Sequence, residues 1–599
     1  MLIFAAGLSA VQALEPDPAD RADYHHDFTI EMVDAEIHNP WNGRPDPVRL
    51  RAYRGDGISD DDLVAPTLRA RPGERIDVTV DNRLPACGEG EACTNGTNIH
   101  THGLWISPSG NADNVMLDIL PGEKFHWQFD IDPHHPAGTF WYHPHGHGNT
   151  LVQVGSGMAG ALIIDGDRVP TLDEPGDVDI LLRDGDGAFR ERVFVFQQIN
   201  YGCYDEKGEM KFRPEEDRSP QNPHGCEAGD VGEVRSKYHD GMWFQTGRFT
   251  SINGKVQPVL ETGKAGRFER WRMIHAGIRE RIIVRLRKLA DGAPDLRSVT
   301  GAAQADYAAT YCTGEALPMW QVAIDGLARS EVRPADEAIL YGGTRTDFVT
   351  YFPEAGRYCV VHGIRQGPRT PPENRPRVLA ILDMEAGEVG VADPEALLVD
   401  TMAAAAARAM PDPAQADIRE KVVGDLRDGM KLSAFVWHET IEREELTGLR
   451  EATLNILDIG PYLHFQMNGR EFDHDRIDYD LPLGGVEQWH VASLLGTHPL
   501  HIHVNPFQLL GVRDGLGRNV ADPDNEAFDP DYAGLQGQWM DTVLLKQGHQ
   551  ARFRTRYTKF TGNFVTHCHI MFHGDSGMMM HLRIYDPAEG EPTHTAMSH

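Results

Sequence analysis

The sequence contains no apolar stretch long enough to cross a membrane. No run approaches the roughly 18 consecutive apolar residues that a transmembrane helix needs, so no membrane span is expected. The uncharged start, MLIFAAGLSAVQAL (residues 1–14), is shorter, and its small-residue end Val11-Gln12-Ala13 is typical of a secretory signal with its cleavage site, although the positive n-region is missing. Residues 1–22 are therefore predicted to form a signal-like N-terminal segment, and a periplasmic or secreted location is expected.

Basic residues are also scarce. There are 57 Lys and Arg against 90 Asp and Glu, which gives a net charge of -33. Nucleic-acid binding is excluded as a function class, because neutralising phosphates requires clustered Lys and Arg. An acidic, self-repelling surface is the simplest interpretation; attraction of cationic substrates is the alternative.

What the chain does contain is a dense run of metal-ligand residues near its end, at 565–578. Cys568 lies between His567 and His569, and His573 and Met578 follow. On a strand, neighbouring side chains point to opposite faces, so Cys568 would face one way and both flanking histidines the other. This short segment can therefore contribute to two metal sites at once.

Three other histidine clusters supply further ligands. They are His100-Thr101-His102, His143-Pro144-His145 and His498-Pro499-Leu500-His501-Ile502-His503. Each His-x-His pair would place both rings on one face of a strand. Cys, His and a weak axial Met form a blue-copper ligand set that lacks one His, and His498 is the candidate for it. A lone histidine is more often an ordinary core or surface residue, which is the interpretation for His134, His135, His147, His581, His594 and His599.

In order and spacing, these four motifs resemble those of the multicopper oxidase family, the laccase-like three-domain blue copper oxidases. The resemblance extends from His100 to Met578, nearly the whole chain. It implies four copper ions: one type 1, one type 2 and a type 3 pair. The implied type 1 ligands are His498, Cys568, His573 and Met578. The implied type 2 ligands are His100 and His501. The implied type 3 ligands are His102, His143, His145, His503, His567 and His569.

The resemblance also implies an oxidase that takes single electrons from a small reducing substrate at the type 1 copper and reduces dioxygen to water at the trinuclear cluster. Phenols and aromatic amines are favoured, because thioethers select Cu(I) and the 19 methionines form no long Met-rich run. The alternative is a metallo-oxidase of Cu(I), Fe(II) or Mn(II) in metal tolerance, which the acidic loop 521–532 keeps open. A complete set of trinuclear ligands argues against a non-enzymatic copper protein and against a nitrite reductase-like cupredoxin.

Four residues are predicted to take part in catalysis. Cys568 with His567 and His569 forms the shortest covalent link between the two sites. Oxygen reduction needs protons, and many bacterial relatives carry an acidic residue directly after the last type 1 histidine. Here that position is Gly574, with Asp575 as the nearest carboxylate, so Asp113 is the second candidate. The alternative for Asp113 is an Asx turn with its own backbone.

Six of the seven cysteines remain once Cys568 is assigned to copper. The simplest pairing is Cys87–Cys93, Cys203–Cys226 and Cys312–Cys359, one of 15 possible connectivities. An even remainder suits an oxidising compartment. Six independent buried thiols are the alternative.

Alternating short apolar runs with Asn, Pro and Gly punctuation predict an all-β chain. We expect three consecutive cupredoxin-like Greek-key β-sandwich domains at 23–168, 190–385 and 431–588, with a helical linker at 386–430 and a tail at 589–599. The linker contains five consecutive alanines, which favour a helix. Since the motifs lie in the first and last domains, the trinuclear cluster should lie between them, with the second domain as a spacer. A monomer is expected.

Overall fold

The computed structural model describes residues 23–55, 58–59, 62–88, 93–212, 225–235, 240–364, 376–459 and 462–590. The predicted signal-like segment 1–22 and all but the first two residues of the predicted tail 589–599 lie outside them. The described chain is mostly β-strand, which confirms the predicted fold class. Among the described residues, no helix is both long and apolar enough to cross a bilayer.

The N-terminal part of the chain forms a sandwich of two sheets. Its elements are β1 (Asp23–Asn39), β2 (Arg44–Gly55), β3 (Leu68–Ala70), β4 (Arg75–Asn82), β5 (His100–His102), β6 (Lys124–Asp130), β7 (Gly138–His143), α1 (Thr150–Val154) and β8 (Gly160–Ile164). One sheet contains the order β2-β1-β4-β6, and the other has the order β3-β8-β7-β5. Alternating residues such as Ile76, Val78 and Val80 of β4 pack with Trp127 and Phe140 in the core between them.

The middle part forms a second sandwich. Its elements are β9 (Arg183–Asp184), β10 (Gly187–Ala188), β11 (Arg190–Gln198), β12 (Gly202–Tyr204), β13 (Val231–Glu233), β14 (Thr250–Ile252), β15 (Lys255–Val256), β16 (Val259–Lys264), β17 (Phe268–His275), β18 (Ile282–Leu289), α2 (Gly301–Tyr311), β19 (Cys312–Thr313), β20 (Met319–Ile324), β21 (Leu327–Ala335), β22 (Ala338–Leu340), β23 (Arg345–Tyr351), β24 (Gly356–His362) and β25 (Arg377–Glu385). The two sheets of the sandwich have the orders β15-β14-β11-β17-β23-β20-β21 and β16-β25-β24-β18-β19, with β22 paired to β18. Strands β9 and β10 pair with each other, and β12 and β13 lie outside this sandwich.

Two strands of the middle segment join the first sandwich. Strand β13 pairs with β2 at Gly232 and Val48, and β12 pairs with β13, so the sheet order becomes β12-β13-β2-β1-β4-β6. The disulfide Cys203–Cys226 joins β12 to the segment that precedes β13. Strands β12 and β13 therefore follow the first sandwich in the sequence but belong to one of its sheets. The domain boundaries drawn from the sequence stay a prediction.

The helical connector before the third sandwich is confirmed as α3 (Pro394–Ala409) and α4 (Ala416–Arg427). Asp393 caps α3 by accepting a hydrogen bond from Ala396 N at 3.0 Å, and Pro394 occupies the first turn. Buried side chains of both helices, including Leu398 and Val422, pack against Trp320 of the middle sandwich. The connector is therefore a packed helical layer on that sandwich.

The C-terminal part forms the third sandwich. Its elements are β26 (Gly448–Ile459), β27 (Tyr462–Met467), β28 (Tyr479–Pro482), β29 (Val486–Ser493), β30 (His498–Ile502), β31 (Phe507–Arg513), β32 (Trp539–Met540), β33 (Thr542–Leu545), β34 (Gln550–Arg556), β35 (Gly562–Cys568), α5 (Met571–Asp575) and β36 (Met579–Tyr585). The sheets have the orders β27-β26-β29-β34-β31-β32 and β28-β36-β35-β30-β33. Every residue of β5, β7 and β30 is buried, because one face of each strand packs on its own core and the other meets a neighbouring sandwich.

The predicted cysteine pairing is confirmed. Cys87–Cys93, Cys203–Cys226 and Cys312–Cys359 are disulfide-bonded, whereas Cys568 is buried and takes part in none of these bonds. Disulfides are typical of proteins from oxidising compartments.

Candidate metal centre

A triangle of ligand atoms lies within the third sandwich, at the C-terminal end of β35. Cys568 Sγ is 3.4 Å from His498 Nδ1 and 3.6 Å from His573 Nδ1, and the two nitrogens are 3.2 Å apart. All three residues are buried. A thiolate and two imidazoles at these separations match the equatorial ligands of a blue-copper site, whose trigonal plane is Cys with two His.

The surroundings hold these ligands in one orientation. His498 Nε2 donates a hydrogen bond to Leu495 O at 2.8 Å, which leaves Nδ1 directed at Cys568. The Phe465 ring stacks on His573 with centroids 4.8 Å apart. Met578, the predicted axial ligand, is fully buried in the same apolar cluster as Cys568.

A second pocket contains the other eight motif histidines, four from each end of the chain. Two strand pairings build it: His100 lies opposite His143 between β5 and β7, and His501 lies opposite His567 between β30 and β35. The rings from the two sandwiches interleave. His100 stacks on His503 at 3.8 Å, and His102 stacks on His501 at 3.7 Å, measured between ring centroids. The pocket therefore exists only because the first and third sandwiches are in contact.

The ring nitrogens converge in groups. His145 Nε2 and His503 Nε2 lie 3.1 and 3.3 Å from His567 Nε2, so these three rings share one candidate metal position. His100, His501 and His503 form another group of ligand atoms. His102, His143 and His569 surround a third region, with ring centroids 5.0–6.0 Å apart.

The hydrogen bonds of these rings test whether the pocket fits a metal. Within the described residues, several buried ring nitrogens have no hydrogen-bond partner: His100 Nε2, His102 Nε2, His143 Nε2, His501 Nε2, His503 Nδ1 and both nitrogens of His569. Buried polar atoms are rarely left without a partner. A group of unpartnered imidazole nitrogens in one buried pocket is the pattern expected of a set of metal ligands.

Burial keeps these imidazoles neutral, as metal binding requires. Desolvation, followed by the neighbouring His501 ring, lowers the pKa of His567 to about 3. Desolvation, with repulsion from adjacent histidines, also lowers the pKa of the following residues well below the usual value: His102, His143, His145, His503 and His569.

Oxygen acceptors behind the rings set the tautomers. The carboxylate oxygens of Asp113 each lie 3.0 Å from His100 Nδ1, and His143 Nδ1 donates to Pro144 O at 2.8 Å. His501 Nδ1 donates to Asp541 O at 3.0 Å, and His567 Nδ1 donates to Cys568 O at 3.0 Å. Such partners orient metal-bound histidines and leave Nε2 as the ligand atom.

Asp113 therefore bonds to the rear of the His100 ring and not to its own loop. Besides His100, its carboxylate accepts the Thr101 N–H at 2.7 Å and the Thr101 hydroxyl at 3.1 Å. The Asx turn in this loop belongs to Asn114, whose Oδ1 accepts the Met116 N–H at 3.1 Å.

The carboxylate nearest to Gly574 has another role. Asp575 accepts hydrogen bonds from Gly148 N at 3.1 Å and Leu151 N at 2.8 Å, at the start of α1. Helix N-termini favour negative charge. Asp575 thus ties the third sandwich to the first.

Two buried charged residues around the pocket were missed by the sequence analysis. Asp541 lies at the junction of β32 and β33, and Arg345 begins β23 in the middle sandwich. Arg345 Nη1 is 3.2 Å from His102 Nδ1 and 2.8 Å from Asp541 Oδ1. No local signal marks them, since neither lies in a histidine motif and the middle segment has no complete motif of its own.

Two histidines outside the motifs, His135 and His581, hydrogen-bond to backbone groups. His135 is a satisfied core residue: Nε2 accepts the Trp105 N–H at 2.9 Å and Nδ1 donates to Pro136 O at 2.8 Å. His581 Nδ1 donates to His474 O at 3.1 Å. His594 and His599 lie outside the described residues.

Comparison with known proteins agrees with this geometry. Two family models described as multicopper oxidase match residues 57–168 and 447–588, the segments that carry the histidine motifs. A Staphylococcus aureus multicopper oxidase is 21% identical over 532 residues, covering 87% of this chain and 82% of its own. A Bacillus subtilis laccase is 29% identical over 123 residues, 19% of this chain and 23% of its own.

A solved structure has the same fold. The Campylobacter jejuni multicopper oxidase, described as a metallo-oxidase, superposes with a TM-score of 0.59 at 18% identity, covering 97% of this chain and 94% of its own. Copper is the cofactor of this family, and the buried histidine clusters fit its sites. With both matched segments meeting at the buried histidines and the fold matching end to end, the chain belongs to the multicopper oxidase family and is an oxidoreductase.

Proposed function

We propose that the protein is a laccase-like oxidase that takes electrons one at a time from phenols or aromatic amines and reduces dioxygen to water. The proposed type 1 ligands are His498, Cys568, His573 and Met578. The proposed ligands of the trinuclear cluster are His100, His102, His143, His145, His501, His503, His567 and His569. Bound copper supplies one-electron acceptance at the first site and dioxygen reduction at the second.

The observation that supports the substrate class is the apolar surface beside His498. Leu494 and Leu495 are 54% and 43% exposed, and the Leu495 carbonyl accepts the His498 Nε2 hydrogen bond. Leu463, also exposed, lies two residues before Phe465, the ring that stacks on His573. Exposed apolar side chains beside a candidate site are typical of binding surfaces, and these would pack against an aromatic ring.

In the acidic loop 521–532, two of the carboxylates are already paired with cationic side chains. Lys546 Nζ lies 2.5 Å from Asp529 Oδ2 and 2.6 Å from Asp531 Oδ2, and Arg281 Nη1 lies 2.8 Å from Asp531 Oδ2. Because Asp529 and Asp531 already have cationic partners, these two carboxylates do not support a cation site.

The residues between the two sites have defined roles. Cys568 contributes its sulfur to one pocket, while the neighbouring His567 and His569 contribute rings to the other, so one strand end joins both covalently. His498 lies between the exposed leucines and Cys568 and provides the ring nearest to substrate. Asp113 orients His100; its role in supplying protons remains a prediction.

Oxygen uptake by the copper-loaded protein tests the substrate class. We expect kcat/KM for a methoxyphenol to exceed the values for Fe(II), Cu(I) and Mn(II). Leu494→Ser with Leu495→Ser should lower the phenol value about tenfold, since losing about 1.4 kcal/mol of apolar contact is tenfold in binding. Leu172→Ser, a 70% exposed leucine in another part of the chain, is the control. Faster turnover of a metal ion, unchanged in the double variant, would favour the metallo-oxidase instead.

Location and assembly complete the proposal. The disulfides and the signal-like start support a periplasmic or secreted protein, and a monomer is proposed. Fractionation of the expressing cells and light scattering of the purified protein test these two points.

A further inference from the structure

We infer that Arg345 of the middle sandwich is a positioning residue for the type 2 histidine His501, acting through Asp541. The middle sandwich, predicted to be a spacer, then helps to position a ligand of the trinuclear site. This inference rests on the proposed function, because it assigns a role relative to that cluster.

The first of the two contacts that connect Arg345 to His501 is a buried ion pair with two hydrogen bonds. Arg345 is fully buried, and its Nη1 and Nη2 donate to Asp541 Oδ1 at 2.8 Å and Oδ2 at 2.6 Å. Burial raises the pKa of the Asp541 carboxyl, but the Arg345 guanidinium outweighs this and holds that pKa well below its usual range. A planar guanidinium that binds both carboxylate oxygens fixes the orientation of the carboxylate as well as neutralising its charge. A lysine ammonium cannot fix that orientation.

The second contact joins Asp541 to the histidine. His501 Nδ1 donates to the Asp541 carbonyl at 3.0 Å and lies 3.3 Å from Asp541 Oδ1. Among the residues that the structure describes, the His501 Nε2 atom then has no hydrogen-bond partner, and it lies within ligand distance of His100 and His503. The orientation of this imidazole therefore depends on where Asp541 is held.

The middle sandwich also holds the backbone of Asp541. The Asp325 carboxylate accepts the N–H groups of Asp541 at 3.2 Å, Thr542 at 3.1 Å and Arg345 at 3.0 Å. Both the side chain and the main chain of Asp541 are thus fixed by residues that belong to another sandwich.

At the junction of the three sandwiches, the backbone at two glycines lies very close to side chains of the neighbouring sandwiches. Gly343 has φ +89, and a Cβ there would lie 2.7 Å from His569 Cδ2 and 3.0 Å from His102 Nε2. A Cβ on Gly103, which follows the first histidine motif, would collide with the Arg345 guanidinium and lie 2.6 Å from Asp541 Oδ2. The turn before β23 is therefore in direct contact with the histidines of both other sandwiches.

Net stability alone does not account for this pair. A buried ion pair is often no more stabilising than apolar residues of the same size, because desolvation offsets the attraction. The geometry that it imposes on His501 and His102 is the more direct consequence. A cleft of about 310 Å³ is lined in part by Asp325, Arg345 and Thr542.

Arg345→Lys is the test variant, because it keeps the positive charge but removes the two-point hydrogen bonding to Asp541. Arg272→Lys is the matched control: Arg272 also comes from the middle sandwich, is equally buried, and bonds Thr139 of the first sandwich at 2.9 Å and Asp347 at 3.2 Å. None of its described contacts reaches a motif histidine.

Copper-loaded wild type and both variants are compared by electron paramagnetic resonance, copper titration and thermal unfolding. Arg345→Lys should change the type 2 hyperfine splitting, weaken type 2 copper binding roughly 10- to 100-fold and leave the type 1 signal unchanged. Arg272→Lys should lower the unfolding temperature by a similar amount but retain the wild-type type 2 signal and affinity.

Two results overturn the inference: a wild-type type 2 signal and affinity in Arg345→Lys, or the same change in Arg272→Lys. If Arg345→Lys loses type 2 copper altogether while its type 1 band persists, the inference holds, because the third sandwich is still folded. A wild-type protein without a type 2 signal would instead contradict the proposed function itself.

Discussion

The two candidate copper pockets differ in how many parts of the chain build them. The type 1 pocket lies within one sandwich, where His498, Cys568 and His573 come from the start of β30, the end of β35 and α5. The histidine pocket uses rings from the first and third sandwiches, and Arg345 of the middle sandwich is ion-paired with Asp541 of the third. The first should form whenever the third sandwich folds, and the second only when all three sandwiches dock.

The surroundings of the pockets differ as well. Around Cys568 the neighbours are apolar, including Phe465 and Met578. Around the histidine pocket the next layer is charged, with Asp113, Asp541 and Arg345. An apolar shell tunes a redox potential by excluding water, whereas a charged and hydrogen-bonded shell fixes tautomers and ring directions. Variants that affect one pocket alone test this division.

Cys568→Ser should have the largest effect. It removes the only thiolate of the type 1 pocket, so the intense blue absorption and oxidase activity should both be lost. The copper of the histidine pocket should remain, because none of the rings there depends on sulfur. Absorption spectra and copper analysis test this, and a variant that stays blue and active would refute the assignment.

Gly343→Ala should damage only the pocket between sandwiches. The added methyl group would press on His569 and His102, so copper should be lost from the trinuclear site while the blue band persists. Gly314→Ala is the control, since it has a similar φ of +80 with no atom within 4 Å of the new Cβ. Equal copper loss in both variants would attribute the effect to backbone strain.

Asp113→Asn should have an intermediate effect. We expect full copper occupancy, a normal blue band and normal reduction by substrate, because the amide oxygen can still accept the His100 Nδ1 hydrogen bond. Reoxidation by dioxygen should be slower by roughly 10- to 100-fold, because the amide cannot pass protons as a carboxylate does. Stopped-flow reoxidation across a range of pH measures this. Wild-type rates at every pH, with full copper, would leave Asp113 a structural role only.

Met578→Leu should have the smallest effect. A weak axial thioether tunes the potential without holding the metal, so the variant should stay blue with a raised reduction potential. Redox titration measures this, with Met579→Leu as the neighbouring control. A shift at Met579 and none at Met578 would move the axial ligand by one residue.

The sequence was sufficient for the parts of the protein that depend on local spacing. Strand periodicity predicted the fold class, the alanine-rich stretch predicted the helical connector, and short cysteine spacings predicted the disulfides. The histidine motifs predicted which rings would meet, because a His-x-His pair on a strand must present both rings on one face.

Only the tertiary structure showed the contribution of the middle sandwich. Arg345 and Asp541 are 196 residues apart, and both they and Gly343 lie outside the motifs, so no local pattern relates them. It also showed that Asp113 faces His100 and that Asp575 caps α1, where the sequence left their roles open. Sequence spacing determines which side chains share a strand face, but contacts across a domain junction depend on how whole sandwiches pack, and that is decided by the folded chain alone.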